Sequence, residues 1–237
     1  MDQTTNLHQL PWRHVHFIGV GGVGMSGQAT ILMDLGVEIS GSDTVRSPGF
    51  DRLLRGGADV RLGHCRTNLP AEADLVVYSS AIQPTNPELQ AAGQNGVPTL
   101  SRGGLLARLA TFYECVIAVA GSHGKTTTTA MIAHLLGTAG LRPGFMVGGE
   151  VDGWGAPAAA GNGRILVTEV DESDGTQALM HSTVGVVLNI EDDHSWSVGG
   201  QEALETCFQT FAAQADRLVA WRTPATSRLL DNHASAQ

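Results

Sequence analysis

Twice in 237 residues a short apolar run passes straight into a glycine turn and then into a helical stretch. The first is Val15-His16-Phe17-Ile18-Gly19-Val20, continuing as Gly21-Gly22-Val23-Gly24-Met25-Ser26-Gly27. The second is Cys115-Val116-Ile117-Ala118-Val119-Ala120, continuing as Gly121-Ser122-His123-Gly124-Lys125-Thr126-Thr127-Thr128-Thr129. Apolar, β-branched runs of this length make buried parallel strands, whose faces must be covered by helices. The pattern therefore restricts the chain to an α/β architecture. Each unit starts its own alternation, so two domains are expected: a Rossmann-like domain over residues 1–110 and a partial P-loop ATPase-type α/β domain over residues 111–237.

The first loop fits a dinucleotide fingerprint. Gly19 allows the turn, Gly21 lets backbone approach a pyrophosphate and Gly24 permits close helix packing. The next strand, Val37 to Gly41, is followed by Asp43, where an acid normally bonds a ribose hydroxyl. These residues define a nucleotide diphosphate site and nothing finer, so an NAD-dependent oxidoreductase stays open at this point.

The second loop holds the only lysine in the chain; the other thirteen basic side chains are arginine. A compact ammonium on a flexible stem acts on a phosphate as a point charge, which a guanidinium fork does not reproduce. Gly121 and Gly124 allow backbone N–H groups to turn inward, and the helix that begins at Lys125 adds its dipole to the anion site. Position 119, where the longer Walker pattern has glycine, is Val, so this is the shorter Gly-x-x-Gly-Lys-Thr form. The reading is an ATP site made by Gly121, Ser122, His123, Gly124, Lys125, Thr126 and Thr127, with Thr126 placed for Mg²⁺.

Between and beyond the loops the spacing predicts strands over 59–62, 74–82, 97–100, 145–147, 164–170, 183–190 and 216–221. It predicts helices over 86–95, 103–112, 125–137 and 201–213, with Met131, Ile132, Leu135 and Leu136 on the buried face of the third. Residues 1–13 read as a loose arm, 148–163 as an exposed loop, and the last sixteen residues give no strong signal. Ser79 and Ser80 close a strand whose carboxyl end is a ligand position in open α/β sheets. Glu169 lies inside an otherwise apolar strand, just ahead of Asp171-Glu172-Ser173-Asp174-Gly175, and a buried carboxylate wants a partner. His194 closes the strand-end run Glu191-Asp192-Asp193-His194.

A hydrophobic fraction of 42% with 16% charged residues describes a folded chain, and no apolar run approaches the roughly 20 residues that cross a bilayer. No signal-peptide pattern opens the chain, and three cysteines without metal spacing suit a reducing compartment, so a cytoplasmic setting without membrane insertion is expected. The net charge of −9 argues against nucleic-acid binding. Residues 116–237 carry thirteen acids against six bases, and acids beside a phosphate loop suit a divalent metal.

Taken together with Ser40-Gly41-Ser42-Asp43, Ser79-Ser80-Ala81-Ile82 and Asn189-Ile190-Glu191-Asp192-Asp193-His194, these motifs resemble the amino-terminal half of a Mur ligase, over about residues 14 to 220. The resemblance reassigns the first loop from NAD to the uridine diphosphate of a sugar substrate, held by Gly19, Gly21, Gly22 and Gly24 with Asp43, Ser79 and Ser80. It implies that ATP and Mg²⁺ are used, with Lys125 on the phosphates, Thr126, Glu169 and His194 at the metal, and Lys125, Glu169 and His194 as the catalytic set. The implied reaction joins L-alanine to the lactyl carboxylate of UDP-N-acetylmuramate through an acyl phosphate, in peptidoglycan precursor synthesis. Ser195-Trp196 departs from the family's Leu-Asp, and Ser122 stands where Thr is usual. On this reading the chain is a fragment that binds the UDP-sugar without completing ligation alone. A nucleotide sensor without turnover is the rival from another class.

Overall fold

The computed structural model describes residues 10–171, 175–191 and 200–236. The first half is a five-stranded parallel sheet in the order β3-β2-β1-β4-β5. Its strands are β1 (His14–Ile18), β2 (Glu38–Asp43), β3 (Asp59–Leu62), β4 (Leu75–Tyr78) and β5 (Thr99–Ser101), joined through helices α1 (Val23–Asp34), α2 (Pro48–Arg55) and α3 (Pro87–Asn95). Helix α4 (Arg102–Ala110) follows β5 and leads to the second half. Strand β1 is buried at every residue, as a central parallel strand must be.

The second sheet has six strands in the order β11-β10-β6-β9-β7-β8. They are β6 (Cys115–Ala120), β7 (Gly144–Met146), β8 (Ala158–Ala159), β9 (Ile165–Glu169), β10 (Ser182–Val187) and β11 (Ala215–Ala220). Only β8 runs antiparallel, against β7. The accompanying helices are α5 (Lys125–Thr138), α6 (Thr176–Leu179), α7 (Gln201–Ala213) and α8 (Pro224–Ala236). No helix among the described residues is long and apolar enough to cross a membrane.

In both sheets the chain reverses direction beside the first strand: β1 lies between β2 and β4, and β6 between β10 and β9. Such switch points open a crevice at the carboxyl ends of the strands, which is where α/β proteins bind ligands. Both glycine loops leave their sheets there.

Four expectations are corrected. Of the expected loose arm, residues 1–9 lie outside the described residues, but Leu10 and Trp12 pack on the first core and Arg13 N–H donates to Asp74 Oδ2 at 2.6 Å. The expected exposed loop over 148–163 contains β8, with Ala158 and Ala160 buried against α1. Small residues allow this: Met146 and Ala158 come so near Gly27 of α1 that a Cβ there would sit 3.2 and 3.4 Å from them. The chain end forms α8, started by a reciprocal pair in which Thr223 N–H donates to Thr226 Oγ1 and Thr226 N–H to Thr223 Oγ1, with Pro224 as its first residue.

The fourth correction concerns α5. It buries Thr129 and Ala133, while Met131 and Leu135 are 60% and 65% exposed. The loop sets the helix rotation. Thr126 faces Glu169, and the positions three and seven residues on, Thr129 and Ala133, share that face, so Met131 and Leu135 turn outward.

Candidate functional site

The first loop closes on β2 through Gly19 and Val20 N–H, which both donate to Ser42 O, at 2.8 and 3.0 Å. Gly19 takes φ +83°, and a Cβ there would lie 3.1 Å from that of Ser79, so only glycine fits easily. Gly22 caps α1 in an extended conformation without a side-chain partner. The Asp43 carboxylate accepts from Gly21 N–H at 2.8 Å and from Val45 N–H at 3.0 Å. Around this loop opens a cleft of about 680 Å³, lined among others by Gly19, Gly21, Gly22, Asp43, His64 and Ser79. Among the described residues lining it, none is Lys or Arg. An anion bound here would rest on backbone N–H groups and the dipole of α1.

The second loop is pinned to the residues after β10. Ser122 Oγ donates to Glu191 O at 3.1 Å and accepts from Glu191 N–H at 2.9 Å. His123 N–H donates to Asn189 Oδ1 at 2.8 Å, and Asn189 Nδ2 returns a bond to His123 O. Gly121 has φ +144°, and a Cβ on it would approach that of Leu188 to 3.0 Å. Lys125 Nζ donates to Gly121 O at 2.6 Å, curling its ammonium across the turn. The Thr126 hydroxyl donates to Glu169 Oε2 at 2.9 Å. Burial pushes the Glu169 carboxyl above the usual range, against the opposing pull of Thr126, the Gly148 N–H and Lys125.

Between the halves lies a cavity of about 170 Å³. Gly24, Gln28 and Arg102 reach it from the first half; Lys125, Gly148, Glu169 and Asp171 reach it from the second. The Arg102 guanidinium lies over Gly24, where a Cβ would meet Nη1 at 2.4 Å, and it donates to Asp171 Oδ2 at 3.4 Å across the junction. Gln28 Nε2 holds Arg102 O at 2.9 Å. The Arg52–Glu150 ion pair and the bond from Ala160 N–H to Asp34 Oδ2 at 3.0 Å also join the halves.

The structure thus gathers Gly19, Gly21, Gly22, Asp43 and Ser79 around one cleft, and puts Gly24 instead at the junction. Ser80 is exposed and does not line that cleft, and Thr127 is exposed on α5. Lys125, Thr126 and Glu169 come together, as do the backbone groups of Gly121, Ser122, His123 and Gly124. His194, Asp192, Asp193 and the Ser195-Trp196 departure lie outside the described residues. Among the described residues no group of three or more His, Cys, Asp or Glu forms a metal cluster. Sequence reading missed Arg102, His64 and Glu88. Arg102 follows the Ser101 cap of α4 and His64 follows β3, but only the fold shows that these positions face a cavity.

Two glycine loops at two switch points, one with a lysine and a half-buried carboxylate, give this α/β chain two candidate anion sites, with a cavity at the junction of its halves. Residues 14–114 match the Mur ligase family catalytic domain and residues 119–232 the Mur ligase middle domain, so the chain belongs to the Mur ligase family. It is 44% identical over 206 residues to a UDP-N-acetylmuramate–L-alanine ligase of Sulfurihydrogenibium sp., covering 87% of this chain and 44% of that protein. It is 46% identical over 230 residues to the Gloeobacter violaceus enzyme of the same name, covering 93% of this chain and 50% of that one. The chain thus spans about half the length of the curated relatives it matches or less. The Thermotoga maritima UDP-N-acetylmuramate–alanine ligase structure superposes with a TM-score of 0.84 at 29% identity, over 91% of this chain and 51% of that one. A UDP-N-acetylmuramate:L-alanyl-γ-D-glutamyl-meso-diaminopimelate ligase from Neisseria meningitides gives 0.83 at 29%, over 93% and 75%.

Proposed function

We propose that the chain carries the UDP-sugar and ATP sites of a ligase that joins L-alanine to the lactyl carboxylate of UDP-N-acetylmuramate, with residues 1–110 and 111–237 acting as its two domains. The observation that carries this is the junction: the same cavity meets Gly24 of the first glycine loop, Lys125 of the second and Glu169 at the end of β9. Two bound nucleotides would there bring their reacting ends together. The sequence relatives favour the L-alanine enzyme over the tripeptide ligase, whose structure superposes equally well.

The residues present fit ATP and Mg²⁺. Glu169 is a half-buried carboxylate whose ordinary charge is opposed by burial, and it shares the site with the Thr126 hydroxyl. Hard oxygen donors of this kind hold Mg²⁺, and His194 is proposed as a further ligand. Bound there, the ion would neutralise phosphate charge as the carboxylate approaches. Lys125 holds the phosphates as a point charge, and the loop N–H groups orient them. The lactyl carboxylate attacks the terminal phosphorus and ADP leaves; the alanine amine then attacks the acyl carbon of the acyl phosphate and inorganic phosphate leaves. No side chain serves as nucleophile.

Calorimetric titration of the chain with UDP-N-acetylmuramate and with NADH tests the first site. Saturable binding of the UDP-sugar alone supports the proposal; binding of NADH alone would return the first loop to a dehydrogenase reading.

A further inference from the structure

Under the first cleft runs a buried polar network that the ligase reading does not use. Its hub is Glu88, in the first turn of α3 and fully buried. Glu88 Oε2 accepts from His16 Nε2 at 3.0 Å and from the Ser42 hydroxyl at 2.5 Å; Oε1 accepts from Cys65 N–H and Asn68 Nδ2, both at 2.8 Å. With four donors converging on two oxygens, the group is an acceptor only, which is the behaviour of an ionised carboxylate.

That fixes a proton two residues away. The single hydrogen of Ser42 points at Glu88, so towards His64 Ser42 can only accept, and His64 Nδ1 lies 2.8 Å from Ser42 Oγ. Nδ1 therefore carries the hydrogen. A neutral imidazole has one N–H, which leaves Nε2 with a lone pair. His64 lines the cleft with its side chain 16% exposed, and its Nε2 has no hydrogen-bond partner among the described residues.

We propose that Glu88, acting through Ser42, holds His64 as its Nδ1–H tautomer and so gives the cleft a hydrogen-bond acceptor that recognises a donor group of the bound nucleoside. The donor is a ribose hydroxyl or the N3–H of uracil. Gly63, just before His64, donates its N–H to Asp43 O at 2.8 Å, which sets the imidazole beyond the end of β2, on the ribose side of a Rossmann-like loop. Asp43 accepts from two backbone N–H groups, and His64 adds a second, uncharged acceptor to the rim of the same cleft. Glu88 and Ser42 are positioning residues; the contact itself is made by His64. The identity of the ligand rests on the UDP-sugar reading, whereas the tautomer does not.

The test has two arms on the intact chain. In the first, nitrogen NMR of ¹⁵N-histidine-labelled protein at neutral pH, with His64 assigned by its absence from His64→Phe, reads the tautomer without ligand. The wild type should show Nδ1–H, and Ser42→Ala should move His64 toward Nε2–H. An imidazolium or Nε2–H form in the wild type, or no change in Ser42→Ala, overturns the proposal. In the second, calorimetry compares UDP with 2′-deoxy-UDP, 3′-deoxy-UDP and CDP, which lacks the N3–H. Loss of one donor should weaken binding to the wild type about tenfold, as expected for one good hydrogen bond. The gap should close to about twofold in both Ser42→Ala and His64→Phe. Equal binding of all four by the wild type overturns the proposal, and the identity of the weak analogue says which donor His64 meets. Failure of the wild type to bind UDP at all would instead refute the UDP-sugar reading, with the tautomer still decided by NMR. His64→Phe serves as the second variant should Ser42→Ala fail to fold.

Discussion

The protein holds one glutamate near each glycine loop, Glu88 fully buried and Glu169 half-buried, and the two are opposite in character. Burial works against the charge on Glu88, but donors from His16, Ser42, Asn68 and Cys65 outweigh it and hold its carboxyl below the usual range. At Glu169 burial, with the Asp171 charge acting in the same direction, prevails over the Thr126 hydroxyl, the Gly148 N–H and the Lys125 ammonium, and the carboxyl is pushed up. A carboxylate whose lone pairs are satisfied by its own protein is a structural anchor. One left short of donors beside a phosphate loop is a place for a cation. The loops differ in the same way: the first offers neutral backbone donors to its cleft, the second carries the chain's one lysine.

The strongest way to break this contrast is Glu88→Gln. The amide would turn a donor toward groups that are all donors, and unfolding free energy should fall by about 3–5 kcal/mol in urea titrations at pH 7. Because the folded-state carboxyl is depressed, its contribution is present above the unfolded value near pH 4.3 and lost as pH falls through the folded one. The acid limb of the wild-type stability profile should therefore be steeper than that of the variant. Equal limbs would remove Glu88 from the comparison.

Lys125→Met should come next, weakening Mg²⁺–ATP by about 100-fold, or ~2.7 kcal/mol, in calorimetric titration while leaving UDP within about twofold. If both nucleotides weaken together, the loops do not work independently. Smaller is the effect of Gly21→Ala, whose Cβ would stand 2.8 Å from Ser47 Oγ and 3.0 Å from Asp43 Oδ2. UDP affinity should fall about tenfold there, with ATP unchanged. Smallest is Glu169→Gln. A raised carboxyl makes the folded state bind more protons, so its unfavourable contribution grows as pH rises through the unfolded and then the folded value. Without metal, the variant should be more stable than wild type at pH 7 by about 1 kcal/mol and equal to it at pH 4. A loss at pH 7 would mean that Glu169 is satisfied like Glu88.

Much of the first loop and most of the second were legible because they are local. The strand over Cys115–Ala120, the helix over Gln201–Ala213 and the short strand over Asp59–Leu62 fall where periodicity puts them. The cap of α8 was also written in Thr223-Pro224 and Thr226, a signal too short to register without an apolar stripe behind it. The buried face of α5 was misread because four large apolar residues outvote Thr and Ala in any periodicity argument, whereas the loop geometry fixes the helix by Thr126.

The sequence by itself determined two α/β units, two glycine turns and one lysine at the second of them, since each depends on residues adjacent in the chain and on glycine where φ is positive or backbone approaches closely. Only the tertiary structure decided which groups share an environment. Glu88 meets His16, 72 residues away, and Arg102 meets Asp171, 69 away. Whether a carboxylate becomes an anchor or a ligand is set by how many donors the fold brings to it through space, and sequence spacing carries no record of that count.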